Sequence, residues 1–120
     1  MLFSRLRYFD PEKKRAGVPE DVAALVDSMA ADSVTVTLVN LDPTDAKTVT
    51  VQGGAYGEHQ VTAVMQGEKR VEVNGRSFDV RLAPGAGAKL KIEMKRFANE
   101  PTLSFPWFDR IAARGPEVQF

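Results

Sequence analysis

From Ser33 to Arg96 apolar and polar residues alternate in six short runs, and a turn-forming cluster fills each gap between them. A period of two sends successive side chains to opposite faces, so each run reads as a strand that buries one side. Val34, Val36 and Leu38 alternate with Thr35, Thr37 and Val39; Lys47–Gln52 and His59–Gln66 continue the pattern. In Lys89–Arg96, Leu90, Ile92 and Met94 face one way and Lys91, Glu93 and Lys95 the other. The strongest local signal is Asn74-Gly75 between the runs Arg70–Val73 and Arg76–Leu82, the preferred two-residue hairpin turn. That register pairs Val73 with Arg76, Val71 with Phe78 and Arg70 with Asp79, and puts Val71, Val73, Phe78, Val80 and Leu82 on the core face. No helical segment separates the six strands, which favours an antiparallel β-sandwich over βαβ units.

The flanks read differently. Residues 1–17 form an arm with five cations and several apolar residues, among them Leu6, Tyr8 and Phe9, that suit packing. Val22, Leu25, Val26 and Met29 then recur at i, i+3, i+4 and i+7, which predicts an α-helix over 18–31 opening at Pro19, with Glu20 and Asp21 against the positive end of its dipole. The tail, 97–120, is irregular; Pro101–Phe105 is a candidate short edge strand that Pro106 stops. The fold class expected is mostly β: an antiparallel sandwich of about six to seven strands over 33–96, preceded by one helix, in a single domain of 120 residues. The tail is expected to pack on the sandwich or on a partner.

Composition narrows the function classes. The 16 basic and 16 acidic residues balance, which argues against a dedicated nucleic-acid or anionic-membrane surface. The balance is an average, since residues 16–46 hold six acids and no Lys or Arg. The absence of Cys removes disulfides, thiolate zinc sites and thiol nucleophiles. No apolar run approaches the roughly 20 residues of a membrane span, and Arg5 and Arg7 come too early for a signal-peptide core. The compartment is not specified by these features.

Few residues invite chemistry. His59 is the single histidine and follows Glu58, but neighbours in a strand point to opposite faces, so the two do not readily converge on one atom. One imidazole without a His-x-His or His-x₃-His spacing is a poor metal site, and neither metal nor other cofactor is expected. The glycine clusters Gly53-Gly54…Gly57 and Gly85…Gly87 open no helix and match no phosphate loop; they suit connections that need positive φ. Glu72, Asp79 and Glu93 fall at outward positions beside basic residues, as solvated sheet-face carboxylates do. Tyr56 and Trp107, with Glu58 and His59 nearby in the chain or fold, are the candidate ligand-binding residues, as aromatic platforms for sugars; equally, Phe105, Trp107 and Phe108 suit folding back onto the sandwich.

Two stretches carry a resemblance. Ser33–Gln60, an aliphatic strand ending in Val39-Asn40-Leu41, an acidic-proline turn at Asp42-Pro43 and a Thr/Val strand, resembles the non-catalytic C-terminal β-sandwich domains of large bacterial glycoside-hydrolase-like proteins. Arg81–Arg96, with Leu82-Ala83-Pro84-Gly85 feeding a closing strand, resembles the last hairpin of such domains. The resemblance spans residues 33–107 and implies an accessory module beside a catalytic domain, so no catalytic residue is carried over. The expected function is a non-catalytic accessory or interaction domain of a carbohydrate-active protein. Its partner would be the neighbouring catalytic domain, or a second copy, held through the apolar termini Leu2–Phe9 and Leu103–Phe108. A carbohydrate-binding module using Tyr56, Glu58, His59 and Trp107 is the alternative, and a small enzyme dependent on His59 the remote one. Neither nucleic acid nor membrane is an expected partner.

Overall fold

A computed structural model of the chain describes residues 6–108 and 115–119. Ten strands run in chain order: β1 (Leu6–Asp10), β2 (Arg15–Ala16), β3 (Val22–Met29), β4 (Ser33–Asn40), β5 (Lys47–Gly53), β6 (Gln60–Gln66), β7 (Lys69–Gly75), β8 (Ser77–Leu82), β9 (Gly87–Lys95) and β10 (Glu117–Gln119). They form two five-stranded sheets, ordered β10-β8-β5-β1-β2 and β3-β4-β9-β6-β7. Every pairing is antiparallel except β10 with β8. The sheets close on one another over Val34, Val36 and Leu38 of β4, Val49 and Val51 of β5, Phe78, Val80 and Leu82 of β8, and Leu90, Ile92 and Met94 of β9, all buried. The six strands expected from the alternation are β4 to β9; in β4, β8 and β9 the buried residues include those the alternation assigns to the core, whereas Val71 of β7 is only half-buried.

The helix expected over 18–31 does not form, and the described residues contain no α-helix. Val22–Met29 is instead β3, paired along its length with β4 from Val22↔Asn40 to Met29↔Val34. The cause is non-local. β4 pairs β9 on one side, and β3 satisfies its other row of N–H and C=O groups with a full ladder that a helix could not offer. Helix propensity in Ala- and Leu-rich sequence is a few tenths of a kcal/mol per residue, too weak to resist that demand. The apolar stripe consequently splits between two faces: Val22, Val26 and Met29 share the core-facing side and Leu25 the outer one, and because β3 is an edge only Val22 is buried, Leu25, Val26 and Met29 being 65%, 43% and 63% exposed.

Asn74-Gly75 is a corner, not a hairpin. β7 pairs β6, whereas β8 lies in the facing sheet between β5 and β10. Asn74 does take the positive φ (50°) that suits it to a sharp change of direction, and the two-residue hairpin loop falls at Gly67-Glu68, closing Gln66 onto Lys69. A strand that turns back within its sheet and one that crosses to the facing sheet present the same residues to the core, so alternation does not separate them. Arg70 and Asp79 therefore do not meet. Arg70 bridges Glu72 (2.7 Å) and Glu93 (3.0 Å), and Asp79 accepts from the Thr50 hydroxyl at 2.6 Å. The turn at Ala83–Gly85 is likewise a corner between β8 and β9, which occupy different sheets. Residues 101–105 form no strand; Pro106–Phe108 is a 3₁₀ turn instead. With β1, β2, β3 and β10 added, the sandwich exceeds the six to seven strands expected.

One buried side chain ties two corners together. Asn40, at the end of β4, directs its amide nitrogen at the carbonyls of Asp45 (2.9 Å), Leu82 (3.2 Å) and Ala83 (3.2 Å), and its Oδ1 accepts from the Asp42 N–H at 3.0 Å. Its own N–H donates to Ala86 O at 2.8 Å. Asp42 then caps the β4–β5 turn, accepting from the N–H groups of Thr44 (2.9 Å) and Asp45 (3.1 Å), with Lys47 at 3.6 Å. These backbone donors hold the Asp42 carboxyl down at about 2. Its folded value lies below the ordinary 3.8, so its support is complete above that value and is lost as pH falls toward 2. Removing the amide leaves the buried Leu82 carbonyl without this donor and hands those of Asp45 and Ala83 to water, so Asn40→Ala is expected to cost about 2 kcal/mol, read as the shift in urea unfolding at constant slope. A loss under about 1 kcal/mol, the scale of a single ordinary hydrogen bond, would show that the corners hold without it.

Candidate functional site

The loop that joins β5 to β6 turns at Gly54 and Gly57, whose φ values are +85° and +68°. At Gly54 the positive φ favours glycine, and the open space above it is taken by the Glu58 carboxylate. Glu58 uses that proximity to accept the Tyr56 N–H at 3.1 Å. Segment 97–102 is laced onto the same loop: Asn99 N–H donates to Glu58 O (3.1 Å), Thr102 N–H to Tyr56 O (2.7 Å), and Phe97 N–H to the ring Nδ1 of His59 (3.0 Å).

His59 is therefore a component of that lacing. It is 1% exposed, and its Nδ1 is an acceptor, which leaves the neutral ring's proton on Nε2. Its ring meets Phe97 edge-on at 4.7 Å, and the Arg96 guanidinium covers Phe97 at 5.6 Å. Phe97 is held at a φ of +55°, a strained value for a bulky residue that the His59 bond and ring contact maintain.

Trp107 lies elsewhere. Phe105 and Trp107 stack at 4.8 Å with rings 8° apart, and both meet Phe9 of β1 edge-on, at 5.8 and 6.1 Å. Phe9 and Pro106 are buried by this contact and its surroundings. The tail thus folds back on the sandwich at Phe105–Trp107, while Leu103 and Phe108 stay exposed. Of the four candidate residues, Tyr56, Glu58 and His59 share one loop; Trp107 has Phe9, Phe105 and Phe108 as its ring neighbours. Tyr56 is the one of the four that is largely open to solvent, at 48%. Residues 2–5 of the apolar N-terminal segment lie outside the described residues, and its remaining part, Leu6–Phe9, is β1.

Two surface features escaped sequence reasoning. The first is the free edge of β3 with Leu25, Val26 and Met29, hidden because a helical period was assigned to strand residues. The second is an open groove of about 540 Å³ lined by Thr35, Met65, Gln66, Gly67, Lys89 and Lys91. Its geometry follows from strand lengths. Partners of β9 on the β6 side stop at Met65↔Lys91, while β4 continues beside β9 to Val39↔Gly87. The β6–β7 hairpin ends early and leaves a step. Glu93, the carboxylate next along β9, is taken up by Arg70, so Lys89 and Lys91 bring cationic charge to the groove. Outward lysines two apart on a strand are the available sequence signal, but they look the same on any solvated sheet.

Truncating His59 should act on the fold rather than on a reacting group. His59→Ala is expected to cost about 2–4 kcal/mol, from a buried ring and a lost acceptor, and to make the Arg96–Phe97 bond more susceptible to trypsin. Unchanged stability and unchanged cleavage would contradict the lacing role. Against protein-family models, curated proteins and solved structures, the chain has no match.

Proposed function

We propose that the protein is a non-catalytic β-sandwich interaction domain that accompanies a catalytic domain in a carbohydrate-active protein. The observation that carries the interaction reading is the edge strand β3, which holds Leu25, Val26 and Met29 in solvent beside a row of backbone groups that, past the Val22 N–H bonded to Pro19 O, has no partner among the described residues. Large apolar side chains clustered at an open strand edge mark a surface that another chain covers. The exposed Leu103 and Phe108 extend the apolar surface available from the tail. The carbohydrate association is supported by the sequence cadence of 33–60 and 81–96, which folds here into β4, β5 and the corner leading to β9. Site-specific photo-cross-linking in the native host tests the reading. A photoreactive residue at position 25 should give one major adduct whose other half carries a glycan-active catalytic domain; absence of any protein adduct there would reject it.

The groove over Lys89 and Lys91 favours a second reading, binding of an acidic polysaccharide on the outer face of the β3-to-β7 sheet. Paired ammonium groups suit carboxylates, the Thr35 hydroxyl and Gln66 amide suit sugar hydroxyls, and the volume falls in the range of small-ligand sites. Affinity electrophoresis separates the readings: retardation by a polyuronate gel but not by neutral glucan, abolished in Lys89→Ala/Lys91→Ala, would establish glycan binding. Equal mobility in both gels would remove it.

A further inference from the structure

We propose that β3 is a strand-addition site for an extended, cationic segment of another polypeptide, which would join the five-stranded sheet as a sixth strand. The inference rests on the interaction reading above and adds the chemistry of the partner.

The four sheet edges are not alike. β2 has two residues and β10 three, too short to template a partner. β7 has seven, but it begins Lys69-Arg70, and solvated charge blunts an edge. β3 has eight residues and contains no Lys, Arg or Pro. Its one protective device is a bulge at Asp27, between Val26 and Ser28, where the carboxylate is held by the Thr37 hydroxyl at 2.6 Å. Five residues, Val22–Val26, precede that bulge in unbroken register with β4, enough for a short added strand. Three edges are blunted along their length, whereas β3 keeps five residues ahead of its bulge, and that edge is also where apolar side chains are exposed.

Charge selects the occupant. Residues 16–46 contain six acids and no Lys or Arg. Glu20 is partly offset by Lys13 at 3.7 Å, but Asp21 before β3 and Asp27 at its bulge have no ion pair among the described residues, nor has Asp32 in the β3–β4 turn. A second copy adding through its own β3 would set these carboxylates against their equivalents, which is unfavourable. An incoming strand with Val or Leu alternating with Lys or Arg would pair its backbone with β3, lay its apolar residues over Val26 on the core-facing side, and set its cations on the outer face, where Asp27 lies beside Thr37. Main-chain bonds would supply affinity and the charges the choice of partner.

Two synthetic peptides of eight residues, the length of β3, test this, one alternating Val with Lys and the other Val with Glu. Amide shifts of the ¹⁵N-labelled protein are followed in titration. The Val/Lys peptide should perturb Val22–Met29 selectively and weaken about tenfold between roughly 50 and 500 mM salt, and the Val/Glu peptide should leave those amides unmoved. Val26→Lys, which places a cation on the exposed edge, should abolish binding with the unfolding midpoint retained; if that variant unfolds, Leu25→Lys serves. Equal response to both peptides, no response to either, or concentration-dependent self-association through β3 by sedimentation would each overturn the proposal. A cross-link from position 25 to a catalytic partner together with a silent Val/Lys titration would defeat the cationic-strand inference alone. Specific Val/Lys binding without that cross-link would defeat the accessory-domain reading alone.

Discussion

The Asn40 carboxamide sits where β4 leaves its sheet and where β8 turns toward β9, and it is bonded to both corners. Two N–H donors serve three carbonyls and one oxygen takes a backbone proton, from a side chain that is itself closed to water. A sandwich has no helix to lock its layers, so the relative placement of the sheets depends on side-chain packing between them and on how rigidly the crossing loops are held. Packing between aliphatic side chains tolerates sliding; hydrogen bonds with fixed direction do not. The Asn40 clasp supplies that direction at one end of the sandwich, and the lacing of 97–102 onto the 54–59 loop supplies it elsewhere.

Burial of polar groups is not uniformly satisfied. The Tyr8 hydroxyl is buried without a partner among the described residues, and burial raises its pKa above the ordinary phenol value. Gln52 donates to the carbonyls of Gly54 and Ala55, while its Oε1 is buried and unbonded. Both residues lie on β1 and β5, the pair that the Phe105–Trp107 stack covers through Phe9. The covered sheet thus carries a cost that its neighbour, with an open outer face, does not.

Much of the interior is legible because alternation reports which side chains face inward, and Val34 to Leu38, Phe78 to Leu82 and Leu90 to Met94 do so without ambiguity. Pairing is less legible. Val71, Val73, Phe78 and Val80 meet the same core whether Asn74-Gly75 folds back or crosses over, so the periodicity is satisfied by both. The β3 segment misleads for a different reason: its Ala and Leu content favours a helix locally, and the deciding interaction is with the unpaired side of β4. At the candidate site, composition identifies His59 as singular but carries no sign that a residue as distant as Phe97 would present its N–H to it. The groove is invisible for a similar reason, since it arises from a difference in length between β6 and β9 and from Arg70 occupying Glu93.

The corner at Asn74–Gly75 also shapes the order in which the molecule can assemble. The β1–β2, β3–β4 and β6–β7 hairpins can close early, because their partners are near in sequence. The central contacts cannot: Ser33 waits for Glu93, Leu6 for Gly53, and Asp79 for Glu117. Closing such loops costs chain entropy before burial compensates it, which slows folding of topologies dominated by distant partners. During synthesis this flank of β8 has no neighbour until Glu117–Gln119 has emerged. A chain of this topology therefore spends its vulnerable interval with β8 unprotected, and the short parallel β10 is the final closure of the sheet.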